Sequence, residues 1–374
     1  MTTSLWINAG EASGDLHGSL LVRALRRLRP DLSIVGMTGP AMRAEGVTSL
    51  LRTESLSVMG VTEVLTRLPG IFGLLRTIRT ELTARHPKAV VLIDAPDFHF
   101  QVARIARSLN IPVIYYISPK IWAWREDRVS FLRTHVNRLI SILPFEVDFY
   151  ARHGMRIDYV GHPLLDVVRT PQVLETPQKN RRIGILPGSR AGEITRLLPI
   201  FSRAAHLLSN AFPGLEFVLP AAPGVDRTLL NRFWAAPVPI SIEGDAGRYA
   251  LMRSCRAIMA ASGTAVLETA LLEIPTAVAY KVSSISAALG RRLIRVPYVS
   301  LPNLILNKPV FPELLQEDAT AAAIAAHLSR WIPETRARAD MLTQLQQIPG
   351  LLGGGDAALR AARIVLETMN LSHA

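Results

Sequence analysis

Three glycine- and serine-rich turns, each directly after a short apolar run, constrain this chain more than anything else in it. Asn8-Ala9-Gly10-Glu11-Ala12-Ser13-Gly14-Asp15 follows the first apolar run. Leu186-Pro187-Gly188-Ser189-Arg190 opens the second half, and Ala261-Ser262-Gly263-Thr264-Ala265-Val266-Leu267-Glu268 follows Ala257 to Ala260. Each stands where a strand hands over to a helix. The unpaired amides of a helix start can hold an anion, and a doubly wound sheet binds its ligand at that edge. Turns of this kind at both ends of the chain predict two α/β domains facing each other across a cleft. A length of 374 residues, 49% apolar and 19% charged, supplies core for both.

The text between the turns alternates accordingly. Leu5 to Ala9, Ser33 to Gly36, Lys88 to Ile93, Val113 to Ile117, Arg138 to Leu143 and Asp158 to Val160 read as strands. Asp15 to Leu28 and Phe98 to Leu109 read as helices from their apolar spacing. Polar text with Pro171 and Pro177, between Arg169 and Arg182, reads as a linker. A second series follows, with strands at Ile183 to Leu186, Glu216 to Leu219, Ala257 to Ala260 and Thr276 to Ala279. From Thr320 the chain reads as helical, and Gly353-Gly354-Gly355 breaks it before a last helix, Asp356 to Met369. The expected organisation is a Rossmann-like domain over 1–168, a second over 183–345, and a C-terminal helix within 346–374.

A single cysteine, Cys255, excludes an internal disulfide and a cysteine metal cluster, which fits a reducing compartment. The start lacks the pattern of a signal peptide, and no apolar stretch is long enough to span a bilayer. The net charge of +12 comes almost wholly from arginine. It suits an anionic partner such as a membrane surface or a phosphorylated substrate, or it reflects a genome that favours arginine. No nucleic-acid-binding motif is present, and the arginines are scattered, so no nucleic acid is expected.

Chemistry can be assigned to few residues. Gly188-Ser189-Arg190 offers backbone amides and a permanent cation to a phosphate, or is a plain turn with a surface arginine. Ser262-Gly263-Thr264 repeats that logic, and Glu268, one helical turn on, either accepts a ribose diol or complements the helix dipole. No Walker lysine follows either turn. In Ile93-Asp94-Ala95-Pro96-Asp97-Phe98, Asp94 ends a buried strand and is the candidate general base, while Asp97 is placed to cap the next helix. Glu11 is the second acidic candidate. His17 and His99 read as helix-surface residues, and nothing near them has metal-ligand spacing, so no metal and no cofactor are expected. Trp122 and Trp124 either stack on a sugar or acyl chain or pack in the core. A helical stripe from Glu63 to Leu82, with Leu65, Leu68, Ile71, Phe72 and Leu75, is interrupted at Pro69-Gly70 and bordered by arginines. It is either core or an interfacial helix.

The blocks AGEASGD, SVMGVTEVL, IDAPDF, YISPKIWAWR, LPFE, GHPLLD, ILPGSR, ASGTAVLE and YVSLPNLILNKPVFPELLQ run in order from Ala9 to Gln316. Together they resemble the lipid-A-disaccharide synthase family of glycosyltransferases. The resemblance implies a GT-B fold with UDP held mainly by the second domain. It implies inverting transfer from UDP-2,3-diacylglucosamine to 2,3-diacylglucosamine 1-phosphate, forming the β-1,6-linked disaccharide 1-phosphate and UDP. On the matching positions it implies Asp94 as base and Glu11 in the reaction cleft. It also implies Arg190, Glu268 and Asn303 around the nucleotide, with Gln316 closing the last block. The turn residues Gly188, Ser189, Ser262, Gly263 and Thr264 complete the substrate site. The stripe Leu65 to Leu75 acquires a membrane or acyl-chain role, and a homodimer is implied. The enzyme would then sit peripherally on the phospholipid surface at the cytoplasmic face of the inner membrane. Competing readings are another GT-B transferase of cell-envelope synthesis using UDP-N-acetylglucosamine, and a non-catalytic nucleotide- or lipid-binding module.

Overall fold

A computed structural model describes residues 4–54, 64–221, 225–244, 247–283 and 296–371, with side chains from residue 70 in the helix that begins at 64. The chain divides into two compact units, Met1–Pro163 with Leu352–Ala374, and Leu164–Leu351.

The first unit is built on a parallel sheet of β1 (Ser4–Ala9), β2 (Ser33–Thr38), β3 (Thr48–Arg52), β4 (Ala89–Ile93), β5 (Val113–Tyr116), β6 (Arg138–Ser141) and β7 (Asp158–Tyr159). Their order is β3-β2-β1-β4-β5-β6-β7. The direction of winding reverses between β1 and β4, which opens a crevice at the carboxyl ends of those two strands. All five residues of β4 are buried, as an apolar run covered on both faces requires. The helix Ala12–Leu28 lays Leu21, Val22, Ala24 and Leu25 into the core. The last helix, Ala357–Leu371, packs against it and belongs to this unit.

The second unit repeats the plan. Its strands are β8 (Arg182–Leu186), β9 (Glu216–Pro220), β10 (Ile240–Glu243), β11 (Ala257–Ala261), β12 (Thr276–Tyr280) and β13 (Glu313–Leu315), in the order β10-β9-β8-β11-β12-β13 and all parallel. Winding reverses between β8 and β11. The turns after β8 and β11 therefore lie beside each other at one sheet edge.

Three details depart from the sequence expectation. The edge strands β3, β10 and β13 have no continuous apolar run to announce them. The break expected at Pro69-Gly70 is absent, because one helix runs from Val64 to Arg85. Proline at its sixth residue removes one hydrogen bond near the helix start and leaves the rest intact. Finally, Asp97 does not cap its helix. The helix begins at Pro96, with Ala95 at the cap position and no side-chain cap. Asp94 (φ 53°) and Ala95 (φ 45°) both lie in the left-handed region, and the helix starts two residues earlier than expected.

Candidate active site

The carboxyl edge of the first sheet gathers Glu11 after β1, Asp94 after β4, Ser118 to Arg125 after β5, Glu146 after β6 and His162 after β7. Glu11 is exposed at the cap position of the helix Ala12–Leu28. Asp15 in the same turn serves the fold. Its carboxylate accepts the amides of Gly39 at 2.8 Å, Ala41 at 2.7 Å and Met42 at 3.2 Å, capping the next short helix.

Asp94 is half-buried. Its carbonyl accepts a hydrogen bond from the Tyr115 hydroxyl at 2.7 Å and contacts His99 Nδ1 at 2.7 Å. Two consecutive left-handed non-glycine residues cost free energy, roughly 1–3 kcal/mol each, and such strain persists where surrounding contacts enforce it. Here those contacts come from β5 and from the helix Pro96–Ser108. Asp97 is 77% exposed and pairs with Arg128 at 2.7 Å.

His17 and His99 are buried, contrary to the helix-surface expectation. Burial lowers each from the usual 6.5 to about 4, so both are neutral at pH 7. His17 packs edge-on against buried His162, with ring centroids 5.8 Å apart. The two tryptophans divide the roles left open for them. Trp122 is buried and donates to Glu146 Oε1 at 2.8 Å, whereas Trp124 is 44% exposed. Glu146 is fully enclosed and also accepts from the Ser141 hydroxyl. Burial pushes its carboxyl up to about 8 against the pull of hydrogen bonds from Ser141, Trp122 and Ser118. Sequence reasoning passed over Glu146 and His162. Both stand within a few residues of a strand's carboxyl end, which was the available signal.

In the second unit, Gly188 adopts φ 102°, and a Cβ there would meet Glu193 Oε2 at 2.3 Å. Only glycine suits that turn. The Glu193 carboxylate accepts the amides of Ser189 at 3.2 Å and Arg190 at 3.4 Å. It thus occupies the amides that sequence reasoning offered to a phosphate. The Arg190 side chain is 70% exposed and lies 3.6 Å from Glu193.

On the neighbouring strand, Ser262, Gly263 and Thr264 lead into the helix Thr264–Leu271. Gly263 is extended at φ 170°, and a Cβ there would meet nothing within 4 Å. Neither backbone nor packing demands glycine at this position. Glu268 is buried and paired with Arg248 at 2.7 Å, with the Tyr249 hydroxyl at 3.4 Å. Arg248 and Tyr249 carried no sequence signal, since no turn motif marks them. Asn303 is fully buried. Its amide donates to Phe311 O and Glu313 Oε1 and accepts the Phe311 amide, each at 2.8 Å. Gln316, at φ 49°, accepts the Val282 amide at 3.4 Å.

Of the apolar stripe, Ile78 and Leu82 are core, Ile71 and Leu75 are half-buried, and Phe72 is 66% exposed. The side chains of Leu65 and Leu68 lie outside the described residues. Among the described residues no helix is long and apolar enough to cross a membrane.

The family model described as lipid-A-disaccharide synthetase matches residues 5–350. A lipid-A-disaccharide synthase of Myxococcus xanthus is 43% identical over 371 residues, covering 96% of each chain. One from Geobacter metallireducens is 38% identical over 372 residues, covering 97% of this chain and 96% of its own. Among solved structures, the Neisseria meningitidis UDP-GlcNAc 2-epimerase bound to UDP-GlcNAc superposes with a TM-score of 0.66 at 12% identity. That match covers 98% of this chain and all (100%) of the epimerase. A calicheamicin glycosyltransferase gives 0.62 at 15% identity, covering 99% of this chain and 98% of its own. These structural likenesses fix the fold as GT-B.

Proposed function

The chain belongs to the lipid-A-disaccharide synthetase family, glycosyltransferases that form the lipid A disaccharide from UDP-sugar and lipid-linked substrates, and we propose how its residues divide that reaction. The donor is UDP-2,3-diacylglucosamine and the acceptor 2,3-diacylglucosamine 1-phosphate. An α-linked donor giving a β-linked product demands inversion. The acceptor hydroxyl attacks opposite the leaving diphosphate and loses its proton, so one base suffices.

Asp94 is that base, and its backbone carries the assignment. It ends β4 beside the reversal of strand order, in a strained conformation that Tyr115 and His99 hold in place. Glu11, at the end of the neighbouring β1, borders the same crevice and contacts the acceptor sugar.

The second unit holds the donor. Glu193 already takes the amides after Gly188, so the diphosphate meets the Arg190 guanidinium and the start of the helix Thr264–Leu271. Gly263 leaves that helix start open to close approach by the phosphate, flanked by Ser262 and Thr264. Charge of this kind stabilises the leaving group as it forms. Glu268, fixed by Arg248 and Tyr249, accepts the ribose hydroxyls. Asn303 acts one step back, binding Glu313 and the Phe311 backbone and so holding the wall beside the site. The protein works as a peripheral enzyme on the cytoplasmic side of the inner-membrane phospholipid surface, with Phe72 at the contact.

The test is product analysis in detergent micelles containing EDTA. Mass and NMR spectra should show a tetraacyl disaccharide 1-phosphate with a β-1,6 linkage and one UDP released per product. Transfer with UDP-N-acetylglucosamine in place of the acylated donor, or retention of the α configuration, would contradict the reading. So would activity lost in EDTA and restored by a divalent cation.

A further inference from the structure

The loop after β5 is pinned more tightly than a surface loop requires. Ser118, Pro119, Ile121 and Trp122 are all buried, and Lys120 alone among these five residues is exposed. Ser118 Oγ lies 2.8 Å from the Tyr150 hydroxyl. Trp122 is fixed by Glu146 at 2.8 Å and by an edge contact with Phe145, centroids 4.9 Å apart. Both sides of Lys120 are therefore anchored to the helix Phe145–Arg152. A long cationic side chain projects from a fixed backbone at the carboxyl edge of the sheet.

The neighbouring charges do not neutralise it. Arg128 pairs with Asp97 at 2.7 Å, Arg125 with Asp127 at 3.1 Å, and His153 lies 3.5 Å from Glu126. Among the described residues no carboxylate lies within ion-pair distance of Lys120. Its charge acts on two buried groups beneath the loop, Glu146 and His162. Burial keeps Glu146 protonated to about 8 and His162 unprotonated at pH 7, so both are neutral there. The positive charge is left over.

Its position is set by the sheet. β4 and β5 are neighbours, with Ile93 opposite Tyr116, and the Asp94 amide donates to Tyr116 O at 3.4 Å. Asp94 and the Lys120 loop thus leave adjacent strands, about 4.8 Å apart. A hexosamine 1-phosphate carries its phosphate on C1 and its 6-hydroxyl on the arm from C5, the two carbons that flank the ring oxygen. With the base after one strand and the cation in the loop after the next, one sugar can present its hydroxyl to the first and its phosphate to the second. Exposed Trp124, with Arg125 and Arg128 over its ring at 5.4 Å and 5.9 Å, offers a flat face beside them.

We propose that Lys120 is the acceptor-recognition cation, binding the phosphomonoester of the acceptor while Asp94 takes the proton from its attacking hydroxyl. This rests on the acceptor and the base assigned above.

Initial rates would be measured for the full-length protein with 2,3-diacylglucosamine 1-phosphate and with its dephosphorylated form. Wild type should prefer the phosphorylated acceptor. Lys120→Ala should raise KM for that acceptor by roughly 10- to 100-fold, the scale of one charge-assisted hydrogen bond. It should leave KM for the UDP-sugar within about twofold, and the two acceptors should become nearly equal. Lys120→Arg should restore most of the preference. An unchanged preference in Lys120→Ala would overturn the proposal. So would an equal loss on both acceptors, which would make Lys120 merely structural. A wild type that elongates neither acceptor would overturn the functional reading as well, whereas an active wild type with an indifferent Lys120→Ala would overturn this inference alone.

Discussion

Burial of Glu146 ties the folding of the first unit to pH. An unfolded glutamate releases its proton near 4.5, while the folded one holds it to about 8. Between those values the unfolded chain binds fewer protons, so this residue's contribution to stability falls as pH rises from 4.5 to 8 and is level above. Glu146→Gln keeps a hydrogen-bonding side chain and cannot ionise. Its melting temperature relative to wild type should climb by a few degrees between about pH 5 and about pH 8.5. The buried histidines act on the acid side in both proteins and cancel in the difference. A difference that does not change with pH would show Glu146 ionised in the folded state. Asp97 teaches the opposite lesson. A carboxylate following Asp-Ala-Pro reads as a helix cap, yet left-handed Asp94 and Ala95 shift the cap to Ala95 and leave Asp97 in an exposed ion pair. Such pairs contribute roughly 0–1 kcal/mol.

The helix Val64–Arg85 changes character along its length. Ile78 and Leu82 bury into the first unit, while Phe72, about two turns earlier, is the most exposed large apolar side chain among the described residues. Arg76 and Arg79 are exposed close by. An exposed ring near cations suits the headgroup boundary of an anionic bilayer. Phe72→Ser should reduce binding to vesicles containing anionic phospholipid by several-fold and leave the melting temperature unchanged, read by vesicle co-sedimentation and thermal unfolding. Lost stability with unchanged vesicle binding would make the residue part of the core. Sequence alone joined the two halves of this stripe, because periodicity reports that a face is apolar and not what covers it. The central strands were legible for a related reason. β4 and β11 are apolar throughout and buried throughout. The edge strands β3, β10 and β13 are only partly covered and carry mixed residues, so nothing in their composition separates them from loops.

At the scale of the whole molecule, two sheets with the same reversal of strand order each present a carboxyl edge, and the assigned chemistry divides between them. The turns after β1, β4, β8 and β11 were legible because glycine, serine or carboxylates cluster there directly after apolar runs. The residues that tune them were not. Tyr115 and His99 hold the Asp94 backbone, Arg248 holds Glu268, and Glu193 takes the amides once offered to phosphate. The contacts to Tyr115 and Arg248 are tertiary and no local pattern encodes them, whereas Glu193, three residues after Arg190, belongs to a local capping box. The central claim, that Asp94 is the base, is tested most directly by single-turnover kinetics of Asp94→Asn beside Asp97→Asn. Asp94→Asn should slow transfer by roughly 10²- to 10⁴-fold, the range for a lost general base, with UDP affinity and melting temperature close to wild type. Asp97→Asn should transfer at nearly the wild-type rate. An active Asp94→Asn with a dead Asp97→Asn would contradict the account and move the base to Asp97.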